Sequence, residues 1–139
     1  MQKGFTLVEL LIVVVIVGVM VAIALPQYKR ATERGRMMEG IANLRAVTDY
    51  MNTRYVLDDA YPTSLPSSET MGLVKSNFFD GPTMQKNGDV LVVYFSRKSS
   101  SGWNYVLLSF SQNGEITSSK CESGNSGQCK GIGLTGAIL

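Results

Sequence analysis

Two cysteines and one unusually placed carboxylate are the residues of this sequence that could carry chemistry. Cys121 and Cys129 are separated by seven residues, most of them small or polar, which offer little cover for buried thiols. We therefore expect a disulfide that closes a small loop, with two free thiols as the alternative. A disulfide would place this end of the chain in an oxidising compartment. Two cysteines are too few to hold a zinc ion, so we expect no metal site.

The carboxylate is Glu9, which lies inside an apolar run. Residues 5–25 are apolar except for Thr6, Glu9 and Gly18. A carboxylate within a membrane helix is unfavourable unless it finds a partner. A simpler interpretation is that Glu9 is a first-turn acid, which a helix dipole stabilises. The question is therefore what neutralises Glu9.

The remaining composition argues against catalysis. The sequence has no histidine, which removes His-based triads and His-ligated metal sites. Its serines have no paired base, so we expect no enzyme activity. The net charge of +2 is too small to indicate a nucleic-acid surface. We expect neither a cofactor nor a specific nucleic-acid ligand.

The apolar run must form a helix if it is to position Glu9. A helix of about 20 residues spans the hydrocarbon core of a bilayer, and residues 5–25 have that length. A secretory signal peptide is an alternative, because Ala22-Ile23-Ala24 resembles a cleavage site. A buried core helix of a soluble protein is a second alternative, which apolar residues on every face disfavour.

A second helical pattern continues beyond Pro26. Apolar residues recur there at steps of three and four, namely Met37, Ile41, Leu44, Val47, Met51 and Tyr55. Polar residues fall largely off this stripe, including Glu33, Arg36, Asn43, Asp49 and Asn52. The basic residues after Pro26 have two interpretations: they lie at lipid head groups before extraction, or they form an ordinary solvated face with Glu33 and Glu39. Pro26 predicts a kink rather than a clean break, so residues 5–55 form one long helix.

The N-terminal segment resembles that of a known family. KGFTLVEL at residues 3–10, the apolar run with Gly18, and Pro26 before a polar continuation are together similar to the N-terminus of bacterial type IV pilins and the related pseudopilins. The close resemblance covers about the first 30 residues. The remainder is similar in architecture alone.

The resemblance implies a role for each residue of this motif. A prepilin peptidase would cut between Gly4 and Phe5 and methylate the new amino group of Phe5. Residues 1–4 form the leader, in which Lys3 is the basic side chain. The cut creates a cationic terminus four residues from Glu9. The resemblance implies that Glu9 pairs with the terminus of a neighbouring subunit and sets the register of a filament.

Two residues of the apolar helix are expected to loosen it. Gly18 and Pro26 both weaken helices, and the resemblance implies that the segment between them melts in the filament. An alternative role for Gly18 is close helix packing. Lys29, Arg30, Arg34 and Arg36 follow the span, and the positive-inside rule would place that side in the cytoplasm. The leader motif and the expected disulfide imply the opposite side.

A globular head is expected after the helix. Residues 58–83 predict a long loop with one helical turn, and residues 89–96, 103–111 and 115–120 predict three strands. Asn113-Gly114 predicts the hairpin turn between the last two strands. The expected fold is α+β: a long N-terminal helix, apolar then amphipathic, packed against a small antiparallel sheet. The cysteine loop would lie at its outer edge.

The resulting hypothesis is a structural subunit of a type IV pilus. Its expected parts are a leader (1–4), a membrane and filament-core half-helix (5–26), an amphipathic half-helix (27–57) and a head (58–139). Expected partners are copies of itself in a helical filament, the prepilin peptidase, the assembly machinery and, before assembly, the bacterial inner membrane. Alternatives are a periplasmic pseudopilin of a type II secretion or DNA-uptake system and a membrane-anchored binding protein that never polymerises.

Overall fold

The computed structural model describes residues 4–98, 102–124 and 127–139. A long helix, α1 (Leu7–Asp58), precedes the other elements. They are the strands β1 (Phe79–Asn87), β2 (Val90–Arg97), β3 (Tyr105–Gln112) and β4 (Glu115–Ser123), and a short helix, α2 (Gln128–Gly131). The strands form one antiparallel sheet in the order β1-β2-β3-β4. The predicted α+β arrangement is therefore confirmed.

Helix α1 continues through Pro26 without interruption over its 52 residues. At about 1.5 Å per residue it is roughly 78 Å long. Thr6 caps its start, and Asp59 adopts a left-handed conformation at its end (φ 53°). A proline inside a helix removes one hydrogen bond and costs about 3 kcal/mol, and the hydrogen bonds on either side of Pro26 are enough to keep the helix continuous.

The core lies between the second half of α1 and one face of the sheet. Met37, Leu44, Val47 and Met51 are each at most 2% exposed, which confirms these members of the predicted stripe. They face inward-pointing side chains of the strands, chiefly Leu91, Val93, Phe95, Tyr105 and Leu107. The two central strands, β2 and β3, alternate buried and half-buried positions, as expected when one face of a sheet is covered.

Gly40 sets how closely the helix approaches the sheet. A Cβ atom on Gly40 would lie 2.8 Å from a side-chain carbon of Leu107 and 2.8 Å from one of Phe79. Such distances are shorter than carbon atoms tolerate. Glycine therefore permits the contact between α1 and strands β1 and β3.

The prediction of a loop over residues 58–83 is wrong at its end, because β1 begins at Phe79. This strand has no apolar alternation, and it contains Gly81-Pro82, which indicates a turn in a sequence. Proline is tolerated in strands at edges and bulges, and β1 is an edge strand whose register shifts between Asp80 and Thr83. The other three strands lie close to their predicted positions.

The segment between α1 and β1 is fastened to the helix by Asn43. Its Nδ2 donates to the carbonyl of Val74 at 2.9 Å, and its Oδ1 accepts from the Val74 backbone N–H at 3.1 Å. Asn43 is 4% exposed, so the prediction that it lies off the packed stripe is wrong. A buried amide needs such partners, and the backbone of the connecting segment supplies them.

Candidate assembly site

The apolar half of α1 is covered by no described part of the chain. Its large apolar side chains range from 47% exposed at Val21 to 87% exposed at Leu7. An 18-residue window of this helix has a mean hydropathy of 3.1, and none of it is buried. A soluble monomer rarely exposes a continuous apolar surface of this kind. Lipid or other protein chains are the surroundings that suit it.

Glu9 caps the helix on which it lies. Its Oε2 accepts from the backbone N–H of Thr6 at 2.9 Å and from the Thr6 hydroxyl at 2.9 Å. The Thr6 hydroxyl in turn accepts from the Glu9 N–H at 3.2 Å, which completes a capping box. Within the described residues, Oε1 of Glu9 accepts no hydrogen bond. The capping role expected of a first-turn acid is therefore present, and one carboxylate oxygen remains for another partner.

Gly4 and Phe5 precede this cap as exposed chain outside the helix. Phe5 is 85% exposed. A Cβ atom on Gly4 would meet nothing within 4 Å, so the packing of this chain does not require a glycine there. The same is true of Gly18. Residues 1–3, including Lys3, lie outside the described residues, so the structure does not place the rest of the predicted leader.

A buried ionic cluster joins α1 to the sheet just beyond the apolar half. Oε1 of Glu33 accepts from Arg97 Nε at 2.5 Å and from the Tyr105 hydroxyl at 2.9 Å, and Oε2 accepts from Arg97 Nη2 at 3.1 Å. Glu33 is 0% and Arg97 5% exposed. Arg97 Nη1 also donates to the Phe78 carbonyl at 2.7 Å. The cluster therefore connects the helix, β2 and β3 at one point.

Arg97 and Tyr105, the buried partners of Glu33, are held in their protonated forms; Arg36, on the same helix, is a third partner, with its Nη1 3.6 Å from Oε2 of Glu33. The hydrogen bonds to Glu33 raise the pKa of Arg97. Burial, followed by the hydrogen bond to Glu33, raises the pKa of Tyr105. Arg97 and Tyr105 therefore both remain hydrogen-bond donors to Glu33 at physiological pH.

The prediction that Glu33 lies on a solvated face is wrong. Glu33 precedes Met37 by four residues, so its spacing extends the buried stripe by one turn toward the N-terminus. This spacing is visible in the sequence, but a charged residue is rarely buried without a partner. Arg97, the partner that makes burial possible, lies 64 residues away and has no local pattern that links it to Glu33.

Comparisons of the sequence with known proteins identify its family. Residues 1–25 match the family model described as the prokaryotic N-terminal methylation motif. A fimbrial protein of Pseudomonas aeruginosa is 33% identical over 109 residues, which are 71% of this chain and 71% of that protein. A type IV major pilin protein, PilE1, of Neisseria gonorrhoeae is 38% identical over 78 residues. The chain belongs to the type IV pilin family. No solved structure matches this pilin significantly.

The pilin covers less of its Neisseria relatives than of the Pseudomonas protein. A fimbrial protein of Neisseria meningitidis serogroup A is 38% identical over 98 residues, which are 65% of this chain and 54% of that protein. The match to PilE1 covers 52% of this chain and 36% of PilE1. The chain therefore spans about half or less of these two relatives.

The two cysteines of the pilin are joined by a disulfide at the edge of the sheet. Cys121 lies on β4 and Cys129 on α2, with their Cα atoms 5.9 Å apart. Beyond the bridge, the backbone N–H groups of Ile138 and Leu139 donate to the Ser119 hydroxyl at 3.0 and 2.9 Å. The disulfide and these hydrogen bonds fasten the last described segment of the pilin to edge strand β4.

Gly18 and Pro26 both lie within the continuous helix of this single pilin chain. The predicted melting between them concerns a filament, so it stays a prediction. Glu9, Gly18 and Pro26 lie on one helix, whereas the disulfide lies on the head. The predicted site residues therefore form two separate groups, one on the exposed half-helix and one at the edge of the sheet.

Proposed function

We propose that this pilin is a structural subunit of a type IV pilus, held in the bacterial inner membrane before it polymerises into a filament at the cell surface. The exposed apolar half of α1 carries the proposal. It is long enough to cross a bilayer, and packing among copies of itself would bury the same surface in a filament. Type IV pilins are structural subunits rather than enzymes, so the proposal assigns no catalytic residue.

Maturation is proposed to precede assembly. A prepilin peptidase would cut between Gly4 and Phe5 and methylate the new amino group of Phe5. The match of residues 1–25 to the N-terminal methylation motif supports this step. The exposure of Phe5 and the open space around Gly4 support it as well, because a protease needs an accessible segment outside a helix.

The proposed role of Glu9 is to pair with the cationic terminus that the cut creates. Its Oε2 lies 2.9 Å from the backbone nitrogen of Thr6, and the nitrogen of Phe5 is the next one along the chain. Each of these two charges would be costly alone in an apolar surrounding, whereas the pair is tolerated. In the filament, the terminus of a neighbouring subunit would approach the carboxylate, so that pairing fixes the axial register of the subunits.

Two substitutions of Glu9 separate pairing from capping. Glu9→Gln keeps an oxygen that can accept from Thr6 and removes the charge, since glutamine also serves in a capping box. Glu9→Val removes both. We expect both variants to be processed like the unmodified chain and to form no filaments, as measured by immunoblotting of membranes and electron microscopy of sheared surface material.

The filaments that form, and where they form, distinguish the proposed pilus subunit from its alternatives. Normal filaments from Glu9→Gln would overturn the charge pairing and leave capping as the role of Glu9. If the unmodified chain forms filaments that stay in the periplasm, the protein is a pseudopilin. If it inserts in the membrane and is absent from every filament, it is a membrane-anchored protein that does not polymerise.

A further inference from the structure

A small cleft of about 240 Å³ lies on α1 just beyond its apolar half. Tyr28, Lys29, Thr32 and Arg36 line it from the helix, and Trp103 lines it from the segment before β3. Residues at spacings of three and four lie on the same face of a helix, which explains why these four side chains converge. The cleft therefore combines two cationic groups with two aromatic rings.

The charge around the cleft is predominantly positive. Residues 27–36 contain four basic side chains and one acidic side chain, Glu33. Glu33 is fully buried, holds Arg97 and lies 3.6 Å from Nη1 of Arg36, so this one carboxylate faces two guanidinium groups. Arg34 donates to the carbonyl of Ile132 at 3.0 Å and keeps its charge. This part of the helix therefore carries a net positive charge that Glu33 neutralises only in part.

The position of the cleft along α1 matches the head-group layer of a bilayer. The helical residues 7–25 span about 28 Å, close to the roughly 30 Å of a hydrocarbon core. Tyr28 and Lys29 then lie about 5 Å beyond the apolar half, within the polar layer. Arg36 lies further out, but helical side chains point toward the N-terminus and therefore back toward the lipid. Tyrosine and tryptophan are enriched at this depth.

We propose that this cleft binds the phosphate of an anionic phospholipid in the leaflet on the head's side of the membrane. Lys29 and Arg36 would hold the phosphate, while Tyr28 and Trp103 would lie among the head groups. The inference rests on the membrane span of the proposed function. It also gives a reason for the basic residues that the positive-inside rule would place on the other side, because bound lipid phosphates compensate their charge where they are.

Trp103 is the sole tryptophan, so its fluorescence reports on the cleft directly. The full chain would be reconstituted in vesicles of phosphatidylcholine with and without phosphatidylglycerol, and quenching of Trp103 by acrylamide would be measured. We expect phosphatidylglycerol to lower quenching by about twofold and to shift the emission to shorter wavelength, and high salt to reverse both effects. Inorganic phosphate added to phosphatidylcholine vesicles should not reproduce them.

Two variants with the same change of charge provide the comparison. Lys29→Gln, in the cleft, should abolish most of the phosphatidylglycerol effect. Lys86→Gln should leave it unchanged, because Lys86 lies beside the β1–β2 turn. That turn is at the opposite end of the strand pair from the Phe79 and Arg97 pairing, which adjoins Glu33.

The outcomes separate this inference from the proposed function. A chain that does not float with phosphatidylcholine vesicles would overturn the membrane span and the inference together. A chain that floats equally well with both vesicle types but shows no phosphatidylglycerol effect on Trp103 would overturn the inference alone. An equal loss in Lys86→Gln would also overturn it, because the attraction would then be a property of net charge. A full response to inorganic phosphate would overturn the assignment to lipid.

Discussion

Replacing Glu33 should weaken the attachment of the head to helix α1. In Glu33→Gln the side chain keeps its shape, but Arg97 is left as a buried cation without a carboxylate. The variant removes the negative charge of a carboxylate that accepts hydrogen bonds from Arg97 Nε, the Tyr105 hydroxyl and Arg97 Nη2 at 2.5, 2.9 and 3.1 Å. Breaking one side of a buried ion pair costs about 3 to 5 kcal/mol. That is a large part of the total of about 5 to 15 kcal/mol that stabilises an ordinary domain.

The measurement is denaturant unfolding of the full chain in detergent micelles, followed by the fluorescence of Trp103. Asp49→Asn is the matched control, because Asp49 is an exposed acid on the same helix and no ion pair holds its carboxylate within the described residues. We expect the control to change the free energy of unfolding by less than about 0.5 kcal/mol. A change of similar size in Glu33→Gln would refute the conclusion that the cluster fastens the head to α1.

The contacts of the head lead to three more expected outcomes. Gly40→Ala should lower the free energy of unfolding by about 1 to 3 kcal/mol, because the added methyl group overpacks the contact with the sheet. Gly35→Ala is the control: a Cβ atom there meets nothing within 4 Å, so this variant should raise the free energy of unfolding by about 0.5 to 1 kcal/mol. Equal effects of the two substitutions would contradict the close contact at Gly40. Replacing both Cys121 and Cys129 by serine should cost about 2 to 3 kcal/mol for a loop of this length, measured by thermal unfolding against the oxidised chain, and no change would refute a stabilising bridge. Folding raises the pKa of the Tyr105 hydroxyl, so as pH rises the unfolded chain loses the hydroxyl proton before the folded chain does. The free energy of unfolding should therefore fall as pH rises above about 10. Tyr105→Phe should flatten that part of the pH profile, and an unchanged profile would contradict the assignment.

The sequence predicted those parts of the fold that depend on local periodicity and turn chemistry. Met37, Leu44 and Met51 recur at helical spacing, and the structure buries all three. Asn113 and Gly114 adopt positive φ angles of 54° and 80°, as a tight hairpin between twisted strands requires. These features can be read from neighbouring residues alone, so they were accessible without a structure.

The parts that the sequence did not predict depend on contacts between distant residues. The sequence favours a solvated Glu33 because this residue lies outside the apolar stripe and beside basic residues, and only the position of Arg97 makes its burial favourable. The start of β1 reads as a loop because residues 58–83 contain three prolines and little periodicity, and only pairing with β2 at the edge of the sheet accommodates Gly81 and Pro82 in a strand. The position of Glu9 in the apolar run predicts that its carboxylate has a partner. The structure of a single chain shows its capping contacts with Thr6 and cannot contain a contact with a neighbouring subunit.

The most direct test of the account is the intact mass of this chain in filaments sheared from the cell surface. We predict a chain that begins at Phe5, heavier by about 14 Da for one methyl group on its amino terminus and lighter by about 2 Da for the cystine. A mass that still includes residues 1–4 would contradict the proposed maturation. Sheared filaments that lack the chain altogether would contradict its role as a pilus subunit.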